Sequence, residues 1–323
     1  MHNALTDIFG LTVGHWTNLE AGTGCTVILC PEGATAGVDV RGGAPGTREL
    51  ALLDPVCMVE KVHAILLGGG SAFGLAAADG VMRWLEEQGY GYNVGIAKVP
   101  IVPAAILFDL PLGRADVRPD AAAGYAACVA ASAGPVAEGN VGAGTGATVG
   151  KLLGFKQATK GGLGTASKQI GRGIVIAALA VVNAAGDVIE PATQAIIAGA
   201  RRPLIGGFAN SMQFVESTLG QTLHNRAQWG GNTTLAVVAT NVALSKTGAT
   251  KVAQMAHDGL ARTIRPVHTM IDGDIVFALA LGDKAGDAGL VGAVAADVLG
   301  EAIVRAVRAA ETLHGIPAAR DLR

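Results

Sequence analysis

Aromatic side chains are scarce in this sequence, at 4% of 323 residues. Charge is scarce too, at 15% against roughly 25% in ordinary globular domains. The formal net charge of −2 leaves no clustered Lys and Arg footprint for a nucleic-acid partner. With 12 prolines and no three-residue glycine period, collagen is excluded. No apolar run reaches the roughly 20 residues of a spanning helix: Ile174–Ala185 is broken at Asn183 and closed by Asp187, and Ala121–Ala137 is mostly alanine. Met1 to Asp7 carry neither the basic nor the apolar region of a signal peptide, so the expectation is a cytoplasmic protein with no membrane partner. The four cysteines, Cys25, Cys30, Cys57 and Cys128, avoid metal and redox spacings and read as buried free thiols. No repeat and no Pro- or Ser-rich linker divides residues 1–323, which read as one domain.

Small apolar residues fill the space that the absences leave. Half the chain is apolar and 47 residues are glycine, about twice the usual share of glycine, so disorder is excluded. Strand-like and helix-like segments alternate. Thr26–Leu29 and Ala36–Val40 read as two short strands around a turn at Pro31-Glu32-Gly33, and Ala64–Leu67 as a third. Leu75, Ala78, Val81, Met82 and Leu85 recur at helical spacing. A second helix is expected from Asp120, as N-cap, to Ala133. Ile174–Val182, Thr234–Thr240 and Ile275–Leu281 read as strands. Val252 to Ile264 and Leu290 to Leu313 read as helical regions. The pattern is layered α/β.

The glycine clusters do not fit nucleotide motifs. Gly150-Lys151 lacks the glycine five residues before and the Ser or Thr after that a P-loop needs. Gly142-Ala143-Gly144-Thr145-Gly146-Ala147 matches G-x-G-x-x-A, yet follows no strand. Gly69-Gly70-Ser71-Ala72-Phe73 begins like a nucleophile elbow without its closing glycine. Such a cluster serves close packing, or else aims backbone N–H groups at a substrate.

Trp229-Gly230-Gly231-Asn232-Thr233-Thr234 carries more chemistry. On a bland reading it is a flexible glycine pair before a strand. On a sharper one, the Thr233 hydroxyl attacks the Asn232 carbonyl, and hydrolysis of the resulting ester frees Thr233 as a new N-terminus. An α-amine titrates near pH 7.7–8.0 and can take the proton of its own hydroxyl. No distant histidine is then needed, and the 7 histidines form no evident triad. Asp272-Gly273-Asp274 reads either as a hairpin turn or as two carboxylates on one face of a strand start. Alone, Lys151 reads as a solvated lysine and Asn183 as a turn residue.

Taken in order, Val38-Asp39-Val40-Arg41-Gly42-Gly43-Ala44-Pro45-Gly46-Thr47, Leu67-Gly68-Gly69-Gly70-Ser71-Ala72-Phe73-Gly74-Leu75, the Gly142–Ala147 segment and Gly231-Asn232-Thr233-Thr234 resemble the self-cleaving L-aminopeptidase/D-esterase family. The likeness runs from about Gly10 to Leu313, and within the family looks closest to the nylon-oligomer endohydrolases. It implies an αββα four-layer sandwich, cut into residues 1–232 and 233–323, with cleaved protomers assembling as tetramers. Thr233 takes the place of the nucleophile, Asn232–Thr233 that of the cleaved bond. Lys151, Asn183, Asp272 and Asp274 fall on the remaining catalytic positions, and Gly69, Gly70 and Ser71 on the substrate side. Phe108 stands where those enzymes carry a tyrosine. The implied activity is hydrolysis of a short peptide, amino-acid amide or nylon-type oligomer through an acyl-enzyme, without metal or organic cofactor. Asn183 and backbone N–H groups hold the oxyanion, Lys151 keeps the new amine neutral, and Asp272 and Asp274 orient it. Acyl transfer of the ornithine acetyltransferase type and a non-catalytic assembly role are the alternatives.

Overall fold

The computed structural model describes residues 1–171, 173–202, 205–218, 220 and 231–322. The framework strands are β1 (Thr12–Asn18), β2 (Thr23–Val40), β3 (Lys61–Gly68), β4 (Ala104–Ile106), β5 (Gly162–Ile170), β6 (Ile174–Asn183), β7 (Thr233–Val242) and β8 (Ile275–Lys284). The helices that cover them are α1 (Ala77–Glu87), α2 (Ala121–Val129), α3 (Lys246–Thr263) and α4 (Ala288–Ala309). Hydrogen bonding runs in the order β5-β6-β7-β8-β2-β3-β4, with Thr47–Arg48 on the far edge and β1 also paired to β2. All neighbours are antiparallel except β7 with β8 and β3 with β4.

Period-two alternation turns this path into layers. In β6, Ile176, Ala178, Ala180 and Val182 face the core shared with α3 and α4. Ala177, Leu179 and Val181 face a second core, where Ile28, Ile65, Leu67, Leu235, Val237 and Phe277 also lie. A third core joins Val27, Leu29, Ala64 and Leu66 to α1 and α2. Both faces of both sheets are therefore buried, giving helix, sheet, sheet, helix. The four-layer αββα sandwich is the fold.

One strand joins the two sheets. Sequence reading broke residues 26–40 into two strands at Pro31-Glu32-Gly33, but β2 runs through them as one 18-residue strand. Its register against β3 shifts between Leu29 and Ala34, and Gly33 takes a φ of +91°. Such a bulge bends a strand without ending it, and proline is tolerated there. The first half of β2 pairs with β1 and β3, the second half with β8.

Helix ends also differ from expectation. Asp120 caps α2 as expected, accepting from Ala123 N at 2.9 Å. The helix stops at Val129, short of Ala133, because Ser132 turns back to exchange backbone bonds with Val13 at 3.0 and 3.1 Å. The last helix stops at Ala309, short of Leu313, where Arg320 takes up the carbonyls of Ala309 and Ala310.

The composition is explained at the crossings. A Cβ on Gly80 would lie 1.8 Å from Ala121 O, and one on Gly164 2.2 Å from Ala302 O, so these layers approach to backbone contact. Cys25, Cys30 and Cys128 are buried free thiols and Cys57 is half-buried. No described helix is long and apolar enough to cross a membrane.

Candidate active site

β7 begins at Thr233, and its register places that residue opposite Asn183, the last residue of β6. Both share the parity of the residues between the sheets, so both side chains sit at the end of that layer. Just before β7, Asn232 bridges in parallel to Asp272, ahead of β8. Three strand ends thus bring together residues far apart in sequence. Thr233 is 4% exposed, Asn183 0%, Lys151 8%, and Asp272 and Asp274 1% each.

Asn183 is the hub. Its Oδ1 accepts from Lys151 Nζ at 2.8 Å and from Thr148 N at 3.0 Å. Its Nδ2 donates to the carbonyls of Phe108 and Gly231, both at 3.2 Å. Donors on one side and acceptors on the other fix the amide orientation. Lys151 Nζ also donates to Asn183 O at 2.9 Å and, more loosely, to Gly231 O at 3.4 Å. The Thr233 hydroxyl lies against the Asn232 carbonyl oxygen. That oxygen also accepts the Gly273 N–H at 2.8 Å.

The Asp-Gly-Asp segment is no hairpin turn, since the strand before it, Ile264–Arg265, pairs with Asp187 and Val188 rather than with β8. Asp274 Oδ1 accepts Thr234 N at 2.7 Å, and its Oδ2 accepts His268 N and Nδ1 at 3.0 and 2.8 Å. Asp272 Oδ2 accepts Thr269 N at 3.1 Å and the Thr269 hydroxyl, while its Oδ1 accepts Ala185 N at 3.3 Å. The Arg41–Ala44 stretch braces this segment from behind. Arg41 N donates to Asp274 O at 3.0 Å and Ala44 N to Asp272 O at 2.8 Å. A Cβ on Gly42 would lie 2.3 Å from Asp272 O, so only glycine permits the approach.

Burial governs the electrostatics. It pushes the Lys151 ammonium down to about 7, against the pull of Asp272. Lys160, wholly enclosed, is pushed to about 7 by burial as well, with Asp109 opposing. It donates to the carbonyls of Thr145 and Ala147 at 2.9 and 2.6 Å, and its charge lowers Lys151 further. Burial raises Asp272, and the neighbouring Asp274 raises it more. Lysines poised near neutrality at a buried cluster mark functional sites.

The Gly69-Gly70-Ser71 turn does not offer open donors. Gly69 N bonds Gly24 O at 2.9 Å, Gly70 N bonds Asp109 Oδ1 at 2.7 Å and Ser71 N bonds Leu107 O at 3.0 Å. The turn instead grips Asp109, next to Phe108. The Phe108 ring packs on Gly231, where a Cβ would lie 2.2 Å from its Cδ1. Trp229 and Gly230, the start of the predicted cleavage motif, lie outside the described residues.

A sequence model of peptidase family S58 matches residues 3–320. An uncharacterised aminopeptidase of Mycobacterium tuberculosis is 46% identical, with 99% of this chain and 98% of that protein aligned. The chain belongs to peptidase family S58. A 6-aminohexanoate-oligomer endohydrolase of Kocuria sp., at 31% identity, aligns over 94% of this chain and 85% of its own length. Among solved structures, the L-aminopeptidase D-Ala-esterase/amidase of Ochrobactrum anthropi superposes with a TM-score of 0.73 at 22% identity. The match covers 97% of this chain and 87% of that one. That enzyme is described as a variant of the Ntn-hydrolase fold, and at this identity the likeness speaks for fold alone.

As an S58 member the chain is a hydrolase of amide or peptide bonds. The structure brings five of the sequence-derived residues, Thr233, Asn183, Lys151, Asp272 and Asp274, to neighbouring strand ends, where Lys151 bonds Asn183 directly and Asp274 bonds the Thr234 N–H beside Thr233. Sequence reading missed Thr148, His268, Thr269, Lys160 and Asp109. A signal for two of them was visible: His268-Thr269, two donors, precedes Asp272-Gly273-Asp274, two acceptors. Thr148 and Lys160 had none, because only folding puts them behind Asn183 and Lys151.

Proposed function

We propose that this S58 hydrolase is made active by cleavage of its own Asn232–Thr233 bond, and that Thr233 is then its nucleophile. The observation carrying the reading is the Thr233–Asn183–Lys151 cluster at the mouth of the inter-sheet layer, faced by two buried carboxylates.

In processing, Thr233 Oγ attacks the Asn232 carbonyl carbon. The Gly273 N–H, 2.8 Å from Asn232 O, supports the developing oxyanion, a contribution of roughly 3 kcal/mol per donor. Lys151 suits the proton acceptor: two of its hydrogens stay on the two Asn183 oxygens. Held near 7 by burial, it is in part uncharged at neutral pH. The C–N bond breaks as the nitrogen takes the proton, leaving an ester between Asn232 and the Thr233 oxygen. Water hydrolyses it to a carboxylate at Asn232 and a free hydroxyl and amine on Thr233.

In turnover the new amine takes the hydroxyl proton and Oγ attacks a substrate amide carbonyl. The leaving amine departs protonated, and water hydrolyses the acyl ester. Asn183 Nδ2, released from Gly231 O by cleavage, becomes an oxyanion donor. Asp274 and Asp272 orient the first residues of β7. The substrate is a short peptide, an amino-acid amide or a nylon-type oligomer, as the names of the relatives suggest.

Cleavage would give chains of 232 and 91 residues. They would stay together, since β7 pairs with β6 and β8 pairs with β2, so separation would strip the cores. The cleaved protomers are proposed to assemble as a tetramer. Sedimentation measures that state.

Intact-mass analysis of wild type and Thr233→Ala tests the reading. Wild type is expected as two fragments and active on amides, and Thr233→Ala as one inactive chain. A Thr233→Ala chain that still splits before residue 233, or still hydrolyses amides, overturns it.

A further inference from the structure

His268 and Thr269 are consecutive, and each closes on a different carboxylate of the Asp-Gly-Asp segment. His268 gives both its backbone N–H (3.0 Å) and its Nδ1–H (2.8 Å) to Asp274 Oδ2. Thr269 gives both its backbone N–H (3.1 Å) and its hydroxyl to Asp272 Oδ2. In each case one oxygen is taken by two donors of a single residue. The other oxygen is left for the strand ends: Asp274 Oδ1 for Thr234 N at 2.7 Å, Asp272 Oδ1 for Ala185 N at 3.3 Å.

The backbone is bent to make this possible. His268 adopts φ +57°, a left-handed conformation uncommon for a residue with a side chain. It folds the residue's own N–H and ring nitrogen onto the same oxygen. Strain of this kind persists only where the surroundings over-determine it. They do so here: Thr269 O accepts Gly43 N at 3.1 Å and Asp272 N at 3.1 Å.

His257 of α3 supports the ring from behind. It is 0% exposed, and its Nε2 bonds the Asp39 carbonyl at 3.0 Å. A carbonyl can only accept, so Nε2 carries the hydrogen and Nδ1 is bare. The two imidazoles meet edge to face, with centroids 4.8 Å apart and planes at 76°. An ionised Asp274 likewise requires the hydrogen of His268 on Nδ1. The tautomers of both rings follow from their acceptors.

We propose that His268 and Thr269 are positioning residues, a clamp that turns Asp274 so that its other oxygen holds Thr234 N, and Asp272 so that its other oxygen holds Ala185 N just beyond Asn183, the residue paired with Thr233. His257 locks the clamp by fixing the His268 ring. The proposal rests on the nucleophile reading above and extends it, since nothing in the sequence motifs assigns either residue a part. Neither side chain is bonded to Thr233 itself.

The test uses the full-length chain and its self-cleavage, which needs no knowledge of the substrate. The rate of appearance of the 91-residue fragment is followed by intact mass for His268→Ala, His268→Asn, Thr269→Val and Thr269→Ser. Asn keeps a donor at the position of Nδ1 and tolerates the left-handed backbone; Ser keeps the hydroxyl. Loss of a hydrogen bond to a buried carboxylate is expected to slow cleavage roughly tenfold or more in the Ala and Val variants. The Asn and Ser variants should recover most of the rate, and on an amide that wild type accepts the loss should fall on kcat with little change in KM.

Wild-type cleavage by folded His268→Ala and Thr269→Val overturns the clamp. So does an Asn variant that folds, by circular dichroism, yet cleaves no faster than the Ala variant. If His268→Ala does not fold, the Asn and Ser variants decide alone: folded and cleaving supports the clamp, folded and uncut refutes it. Thr233→Ala runs alongside, and cleavage there sinks the nucleophile reading rather than the clamp.

Discussion

The Lys151 ammonium donates to both oxygens of Asn183, at 2.9 Å to the main chain and 2.8 Å to the side chain. A buried lysine and a buried amide therefore hold each other, and neither is well placed without the other. Replacing Asn183 by Ala would leave the ammonium its main-chain acceptor but remove the side-chain one, a loss of about 1.5–3 kcal/mol for a hydrogen bond from a charged donor.

Asn183→Asp separates the two functions of the amide. The carboxylate keeps a partner for Lys151 but removes the Nδ2 donor. The variant is expected to fold, and to hydrolyse amides about 100-fold more slowly. Steady-state rates together with a melting curve check this; wild-type kcat in Asn183→Asp removes the oxyanion role.

Gly273→Ala tests the geometry around the bond proposed to be cut. The added Cβ would lie 2.8 Å from Thr233 Oγ1 and 2.7 Å from Ala44 O. Crowding of this kind costs about 1–3 kcal/mol, and it falls on the nucleophile. Self-cleavage should slow by tenfold or more, seen as precursor persisting in mass spectra of freshly purified protein. Unchanged processing would mean that the loop yields freely.

Stability should rise with pH just above neutrality. Burial holds Lys151 and Lys160 at about 7 in the folded chain, against 10.5 when exposed. Between these values the unfolded chain binds protons that the folded chain does not, so unfolding becomes harder as pH rises. His15 and His257, held at about 4 by burial, act in the same sense but only up to about pH 6.5. Cys25, Cys30 and Cys128, pushed up to about 12 by burial, act oppositely once exposed thiols ionise near pH 8.5. Denaturant midpoints of the Thr233→Ala chain should climb from pH 7 to about 8.5 and then fall, once the three thiols outweigh the two lysines. Lys160→Met should flatten the climb; a flat or falling wild-type curve over that window refutes the assignment.

Phe108→Tyr addresses specificity. The ring packs on Gly231, beside the proposed cleavage point, where the nylon-oligomer hydrolases are expected to carry a hydroxyl. One added hydrogen bond to a substrate is worth about 0.5–1.5 kcal/mol, or a few-fold to about tenfold in kcat/KM. The ratio of rates on a 6-aminohexanoate oligomer and on an amino-acid amide should change by that factor. Identical ratios in the two proteins would place Phe108 outside the substrate's reach.

Local pattern carried much of this fold. Strands around residues 26–29, 64–67, 174–182, 234–240 and 275–281 were legible because both-face burial makes them continuous apolar runs. The kinked β2 was not legible: Pro31-Glu32-Gly33 has the local chemistry of a turn, and only pairing with β3 on one side and β8 on the other keeps the chain extended. Among site residues, Thr233 and the Asp272–Asp274 pair announced themselves through neighbours in sequence. Lys151 and Asn183 looked ordinary, since what distinguishes them is each other.

By itself the sequence determined the layering, through alternation of apolar residues, and singled out the one bond proposed for self-cleavage. Tertiary structure decided the rest: which strand ends meet, which glycine N–H groups are already occupied, and that two lysines lie buried near neutrality. The reason is physical. Periodicity and backbone chemistry are local and can be read along the chain, whereas desolvation and hydrogen-bond partnership depend on groups that folding alone brings within 3 Å.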